Sequence, residues 1–377
     1  MGERKIEEEE FIMKKIIVKQ EQSPMELFST MGCRTANGAD CNFEESYVKN
    51  IRAVIDNGTL YDDMVSAAQK PGRGNICPTT IIMPTIAMQA KKKAEKAGTD
   101  LVEEFMKLLD KKIHEAKDSL LERFDWITSQ PAASAKFMYE NGTMYGYKPE
   151  EGIKSALKHG TLAIGQLGLA ETLHILIGCN HATKKGMELA KRIEQLFKDR
   201  CAEFKQEYKL NFGVYFTPAE NLCYTAMKKF KAKYGEIEKV SDHDYFTNSM
   251  HIPVWEKMTP FEKIDLESQL TGYSSAGCIT YVELDGTAKN NTQAIEELVN
   301  YAMDKDIPYF AVNVPNDICN DCGYTDEIGE KCPQCGSTNI QRLRRVTGYL
   351  TGNYKTAFNY GKQRETEDRV KHTCIDI

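Results

Sequence analysis

Four cysteines near the C-terminus are spaced in a way that suits metal binding. They form two C-x2-C pairs, Cys319 with Cys322 and Cys332 with Cys335, and a glycine follows each pair directly. A C-x2-C turn directs two thiolates at one ion, and two such turns complete a tetrahedral four-thiolate site. The spacing therefore predicts structural zinc, because four thiolates leave no open position for catalysis. A pair of redox-active or merely buried cysteines is the alternative.

The composition limits the classes of protein to which the chain can belong. Its 377 residues include 49 Lys and Arg against 55 Asp and Glu, which gives a net charge of −6. This balance argues against a general nucleic-acid binder, which needs a basic surface. The longest apolar run, 163–178, is interrupted by Gln166, Glu171 and His174, so no membrane span is expected. The acidic N-terminus is atypical of a targeting signal. We therefore expect a cytoplasmic protein with reduced thiols, whose 12 cysteines serve metal binding or chemistry.

Hydrophobic periodicity predicts an α/β architecture. Apolar residues recur at steps of three and four over 99–127 and again over 187–204, which indicates two amphipathic helices. Short β-rich runs at 15–20, 212–216, 278–284 and 309–314 predict strands, and the runs 30–41 and 71–75 predict loops. Long helices that alternate with short apolar strands are typical of α/β folds.

Directly after the cysteine cluster, residues 344–350 read RRVTGYL. Taken alone, a glycine in this setting marks a bulge or tight turn. In this position, however, RVTGYL resembles the radical-bearing end of the anaerobic (class III) ribonucleoside-triphosphate reductases. Other stretches similar to that family occur in the same order along residues 25–372: MGCRT at 31–35, GRGN at 72–75, HGTL at 159–162, GLAET at 168–172, TPAE at 217–220, TNSMHIPV at 247–254 and AGCITYVEL at 276–284.

The resemblance implies a fold and a division into domains. The expected fold is the second half of a ten-stranded β/α barrel of the glycyl-radical type, followed by a zinc ribbon and a radical loop. The expected divisions are an N-terminal segment at 1–24, a catalytic half-barrel at 25–314, the ribbon at 315–340, and the radical loop with the tail at 341–377. The chain is shorter than members of that family. We therefore expect a separate N-terminal half, which would supply the rest of the barrel, a regulatory domain and a second active-site cysteine.

The resemblance also assigns the two residues that would carry the radical. Gly348 would store the unpaired electron, because a glycine radical is delocalised into both flanking amides and no Cβ hinders planarity. Cys33, in the MGCR loop, would form the thiyl that abstracts the ribose 3′-hydrogen. Gly352 and Cys41 are the local competitors, and neither has a matching motif. A lone cysteine is otherwise a small buried hydrophobe.

Further site residues follow from the same motifs. Asn75, in GRGN, would hydrogen-bond the ribose hydroxyls, although Gly-Asn is also common turn chemistry. Met31 would line the same pocket, with simple packing as the alternative. Four other motif residues have no assigned role at this point: Glu171, Glu220, Ser249 and His251.

The resemblance implies specific partners. These are a radical-SAM activating enzyme that generates the glycyl radical, ribonucleoside triphosphates and formate as substrates, and a homodimer of the complete enzyme. Two alternatives stay open. One is a glycyl-radical enzyme of the formate-lyase type, which would favour adjacent paired cysteines that this chain lacks. The other is a non-catalytic zinc-ribbon remnant that binds nucleic acid.

Overall fold

The computed structural model describes residues 40–42, 74–141, 143, 144, 146–216, 219–346, 349–351 and 353–372. Met31, Cys33 and Gly348 lie outside these residues, as does the strand predicted at 15–20. Of the loop predicted at 30–41, only Asp40 and Cys41 are described.

Five short parallel strands form the centre of the described structure. They are β1 (Asn75–Ile82), β2 (Thr161–Leu167), β3 (Asn211–Tyr215), β4 (Thr280–Glu283) and β5 (Phe310–Asn313). The first three pair in chain order, with Asn75 opposite Thr161 and Thr161 opposite Asn211. β4 pairs with β5, and a parallel bridge between Tyr215 and Gly277 connects the two groups. The five strands therefore lie side by side in chain order.

Helices connect these strands, as parallel pairing requires. They are α1 (Met83–Ala97), α2 (Leu101–Thr128), α3 (Lys136–Glu140), α4 (Lys154–Leu157), α5 (Leu169–Ile177), α6 (Lys184–Tyr208), α7 (Glu220–Tyr234), α8 (Pro260–Thr271) and α9 (Thr292–Asp304), with α10 (Tyr354–Ala357) and α11 (Tyr360–Asp368) in the tail. Their starts follow local chemistry: the Asp100 side chain accepts a hydrogen bond from the Glu103 backbone at the start of α2, and Thr259 forms a capping box with Glu262 at α8. None of the helices in the described parts of the chain is long and apolar enough to cross a membrane.

The main core lies between the strands and the long helices. The apolar face of α2, including Leu109 and Ile113, belongs to one buried cluster with Phe197 of α6 and with Ile164 and Val214 of the sheet. On the opposite face of the strands, a separate small cluster contains Ala163, Tyr215 and Ala276. Because side chains alternate along a strand, each strand presents one set to the helices and the other set to the opposite side.

The structure confirms the two long helices, which extend to 101–128 and 184–208, and the strands predicted at 212–216, 278–284 and 309–314. Of the loop predicted at 71–75, only Gly74 and Asn75 are described, and the prediction was wrong at Asn75, which already pairs in β1. The apolar run 163–178 contains a strand and a helix joined at Gly168. Gly168 has φ of 79°, and a Cβ there would lie 2.6 Å from the Pro84 ring, so only glycine fits this sharp junction.

A small antiparallel sheet follows β5. Its strands are β6 (Asn316–Cys319), β7 (Thr325–Asp326), β8 (Ile340–Val346) and β9 (Tyr349–Thr351), in the order β7-β6-β8-β9. β8 continues from the segment that carries the cysteines into the segment that leads to Gly348. The same strand therefore connects both features singled out in the sequence.

Candidate functional site

The four cysteines converge on one point. The Sγ atoms of Cys319 and Cys335 lie 3.5 Å apart and those of Cys322 and Cys332 lie 3.6 Å apart, and all four lie within 4.8 Å of one another. Among the described residues, no other group of His, Cys, Asp or Glu side chains is arranged to hold a metal.

The backbone around the cysteines also fits a metal site. Gly323 and Gly336 adopt positive φ of 77° and 75°, and their N–H groups donate to the carbonyls of Cys319 and Cys332. Although burial raises it, hydrogen bonds from the backbone N–H groups of Cys322 and Asp321 lower the pKa of Cys319 to about 7. Thiolate donors in this arrangement suit a tetrahedral ion such as Zn²⁺.

The hairpin that carries Gly348 is defined by its register. Val346 of β8 pairs with Tyr349 of β9, and Arg345 pairs with Leu350. Two residues, 347 and 348, therefore separate the paired strands. Connections of two residues between antiparallel strands favour glycine, because they require positive φ.

The stem of this hairpin is tied to the sheet that carries the cysteines. Asp317 on β6 is fully buried and accepts hydrogen bonds from the guanidinium groups of Arg342 and Arg344, the latter at 3.0 Å between Nη2 and Oδ2. Its Oδ2 also accepts a hydrogen bond from the Ile328 backbone N–H. Arg342 and Arg344 thus neutralise a buried carboxylate.

Only the residues that follow the predicted Cys33 loop are described, and they are firmly anchored. Asp40 is buried, with its Oδ2 2.7 Å from Nδ1 of His159 and its Oδ1 2.8 Å from Nδ2 of Asn211. The Cys41 backbone N–H donates to Oδ1 of Asn211, and the Asn42 amide donates to two backbone carbonyls. This turn is therefore fixed at the amino ends of β2 and β3.

Asn75 lies at the same end of the sheet, as the first residue of β1. Its Nδ2 donates to the carbonyl of Ala276 at 2.9 Å, across 201 positions of sequence. Its Oδ1 is buried, and no described residue donates to it. A buried amide oxygen with unused acceptor capacity is suited to a ligand hydroxyl.

At the carboxyl ends of the strands, carboxylates hold the segment 247–252. Oε1 of Glu171 accepts hydrogen bonds from the backbone N–H and the hydroxyl of Thr247, both at 2.7 Å. Burial raises the pKa of Glu171 to about 6, and the Thr247 hydrogen bonds oppose that rise. Glu267 accepts from the Ile252 backbone at 3.1 Å. Glu171, to which the sequence assigned no role, therefore has a structural role in holding Thr247.

The other three motif residues without an assigned role lie in three different environments. His251 lies 3.3 Å from Glu267 through Nδ1, and its ring lies 5.5 Å from that of Tyr281. Ser249 has φ of 34° and a buried hydroxyl that finds no partner among the described residues. Glu220 begins α7 and is only half-buried.

The C-terminal tail contributes buried charged residues that could not be identified from the sequence. Lys362 is fully buried, with Nζ 2.5 Å from Oε2 of Glu365. Farther along, the Glu283 backbone N–H donates to the ring Nδ1 of His372 at 2.8 Å. The backbone N–H of His372 donates in turn to the Glu283 carbonyl at 2.7 Å. Burial lowers the pKa of His372 to about 3, so the neutral ring accepts this bond. The spacing of charges in α11 gave no sign that this face is buried.

The described residues that flank the two predicted loops thus lie at opposite ends of the parallel strands. The anchor after the Cys33 loop and Asn75 lie at the amino ends, whereas the hairpin stem and the tail lie at the carboxyl ends of β4 and β5. A cavity of about 450 Å³ is lined by residues of these carboxyl ends, of the hairpin stem and of the tail, among them Asn313, Arg345 and Arg369.

Comparisons with known proteins agree on one family. A family model described as anaerobic ribonucleoside-triphosphate reductase matches residues 7–372. An anaerobic ribonucleoside-triphosphate reductase from Haemophilus influenzae is 32% identical over 318 residues, which cover 80% of this chain and 43% of the relative. Another, from Enterobacteria phage T4, is 33% identical over 313 residues, which cover 80% of this chain and 49% of the relative. The chain therefore spans less than half the length of these relatives.

Solved structures show the same fold. An anaerobic ribonucleotide reductase superposes with a TM-score of 0.62 at 21% identity, over 81% of this chain and 46% of that chain. The anaerobic ribonucleotide reductase from Thermotoga maritima, solved with glycerol in the active site, gives a TM-score of 0.59 at 20% identity over 78% of this chain and 44% of that chain.

Proposed function

This chain belongs to the anaerobic ribonucleoside-triphosphate reductase family, and from this membership we propose that it is the radical-bearing half of such an enzyme. It would reduce ribonucleoside triphosphates to 2′-deoxyribonucleoside triphosphates. The observation that supports the proposal is the hairpin register: Val346 pairs with Tyr349, so that residues 347 and 348 connect the two strands. The guanidinium of Arg345, in the stem of this hairpin, lies 5.7 Å from the Tyr281 ring on β4.

The chemistry would use two residues of this chain. A SAM-dependent activating enzyme removes a hydrogen atom from Gly348, and the resulting radical takes a hydrogen atom from the Cys33 thiol. The thiyl abstracts the ribose 3′-hydrogen, and the 2′-hydroxyl then takes up a proton from solution and leaves as water. Formate supplies the two electrons and the proton that form the new 2′ C–H bond, and it is oxidised to CO₂. Return of the 3′-hydrogen regenerates the thiyl, and Gly348 recovers the radical.

Asn75 and Met31 would complete this chain's share of the substrate pocket. The unused Oδ1 of Asn75 supports a role as acceptor for a ribose hydroxyl, while its Nδ2 is held by Ala276. Met31 would pack against the sugar, next to Cys33 in sequence.

We further propose that the five parallel strands are half of a ten-stranded barrel, completed by a separate N-terminal half in a homodimeric enzyme. The chain order of the strands supports this, as does the share of each relative's length that the chain covers. Exposed strand edges favour such pairing. Family membership favours the reductase over a formate-lyase type, and a net charge of −6 disfavours a remnant that binds nucleic acid.

The four-cysteine cluster would hold one structural Zn²⁺. Replacing Cys322 by Ser should reduce bound zinc from one ion per chain to nearly none, because three thiolates no longer close the tetrahedron. Elemental analysis after dialysis measures this. Cys179→Ser, at a half-buried cysteine outside the cluster, is the matched control and should keep its zinc. Full zinc in the Cys322 variant would contradict the assignment.

Oxygen provides the test of the proposed radical position. Air should cleave the activated chain at Gly348 and release the 29 residues that follow it, a fragment of about 3 kDa at the mean residue mass of this chain. Mass spectrometry of activated samples before and after exposure identifies the cut. An intact chain in a sample that contains the radical, or a cut elsewhere, would overturn the proposal.

A further inference from the structure

Arg369, just beyond the end of α11, joins three parts of the structure. Its Nη1 donates to the backbone carbonyl of Arg345 at 2.7 Å and lies 3.0 Å from Oε1 of Glu283. Its Nη2 lies 3.7 Å from Glu365 on α11. One guanidinium thus links the hairpin stem, the end of β4 and the tail helix.

The contact with Arg345 is close to the proposed radical position. Arg345 lies three residues before Gly348 and pairs with Leu350 across the hairpin. Its own guanidinium lies 5.7 Å from the centre of the Tyr281 ring on β4. Arg369 therefore holds the backbone of the stem at Arg345, and the side chain of Arg345 packs against β4.

The groups on which Arg369 relies are themselves fixed. Oε1 of Glu283 also accepts from Nδ2 of Asn313 at 2.8 Å, and the Glu283 backbone is paired with His372. The Arg369 side chain is only 11% exposed. Burial opposes its charge, but Glu283 and Glu365 raise the pKa of Arg369 above its ordinary value. A planar guanidinium offers five donors in a rigid fork that reaches acceptors on different elements, whereas an ammonium offers three donors at a single atom.

We infer that Arg369 is a positioning residue that sets where the glycyl-radical hairpin sits over β4, and so governs hydrogen-atom transfer between the hairpin and the thiyl loop. This inference rests on the proposed function. It predicts that loss of the bridge leaves Gly348 able to hold a radical but places it poorly for transfer.

The first test needs no activation. In the chain carrying Arg369→Gln, backbone amides of residues 344–351 should exchange hydrogen at least about tenfold faster, because the stem loses its tie to the barrel. Arg364→Gln is the matched control, since Arg364 lies on the same tail helix but is 42% exposed and forms ion pairs with Glu367 and Asp368 of that helix. Unchanged exchange in the Arg369 variant would overturn the inference.

The second test measures turnover per glycyl radical, with EPR spin counts and nucleotide reduction on the same activated sample. Unfolded molecules hold no radical, so this ratio is insensitive to a general loss of stability. Arg369→Gln should lower the ratio by about a hundredfold, the scale expected for a misplacement near 1 Å. Arg369→Lys keeps the charge without the bridge, so its turnover per radical should fall between that of the unaltered chain and that of Arg369→Gln. The Lys variant replaces the Gln variant if the Gln variant does not fold.

A ratio within twofold of the unaltered chain would overturn the positioning role. Failure of the proposed function has a different signature, because a Gly348→Ala chain that still gives the glycyl signal moves the radical away from this hairpin altogether.

Discussion

Replacing Gly348 by Ala should abolish the glycyl-radical EPR signal after anaerobic activation, while bound zinc stays unchanged. An alanine radical carries a methyl group that hinders the planar arrangement through which both flanking amides share the unpaired electron. Nucleotide reduction should fall to background with the signal, since the stored radical starts every turnover. EPR spin counting and elemental analysis on the same sample measure both quantities.

The matched control for this change is Gly352→Ala, four residues farther along the chain. It should retain the radical and most of the activity. A signal that persists in the Gly348 variant, or disappears only in the Gly352 variant, would move the radical to another position.

Replacing Cys33 by Ser should leave the glycyl radical in place but stop nucleotide reduction. A hydroxyl gives up its hydrogen atom far less readily than a thiol, so the radical on Gly348 cannot be passed to the substrate. Loss of a group that performs a chemical step lowers kcat by on the order of 10³-fold or more. Spin counting establishes that the radical remains, and an anaerobic assay of deoxynucleotide formation measures turnover.

Cys41→Ser is the control for this second change, because Cys41 is an exposed neighbour whose backbone N–H makes the contact with Asn211. It should keep nearly full activity. Retained reduction by the Cys33 variant would contradict the thiyl assignment, and loss in the Cys41 variant alone would transfer the role to that residue.

The sequence predicted those elements whose signals are local. The apolar face of α2 recurs with helical period over many turns, so its burial could be predicted without knowing its partners. The two C-x2-C turns likewise place their thiolates through short-range geometry, and all four Sγ atoms converge as expected. Gly348 and Cys33 came instead from motif resemblance, and both lie outside the described residues.

Features that depend on distant partners could not be predicted in this way. The turn at Asp40 is fixed by His159 and Asn211, which lie more than a hundred positions away. Lys362 and Arg369 have the polar character of surface residues. Docking against α7 buries Lys362, and docking against β4 leaves the Arg369 side chain only 11% exposed. The junction at Gly168 was hidden because the strand and the helix that it joins are both apolar. In the first two cases tertiary contacts override the local pattern.

The most direct test of the central claim is anaerobic EPR of the chain produced with Cα-deuterated glycine, activated together with any N-terminal half that it requires. The account predicts a doublet from the unlabelled chain, split by the single remaining Cα hydrogen of Gly348, and its collapse to a singlet on deuteration. A signal that deuterated glycine leaves unchanged, or the absence of any signal with the activating enzyme and the N-terminal half present, would contradict the assignment of this chain as the glycyl-radical half of a reductase.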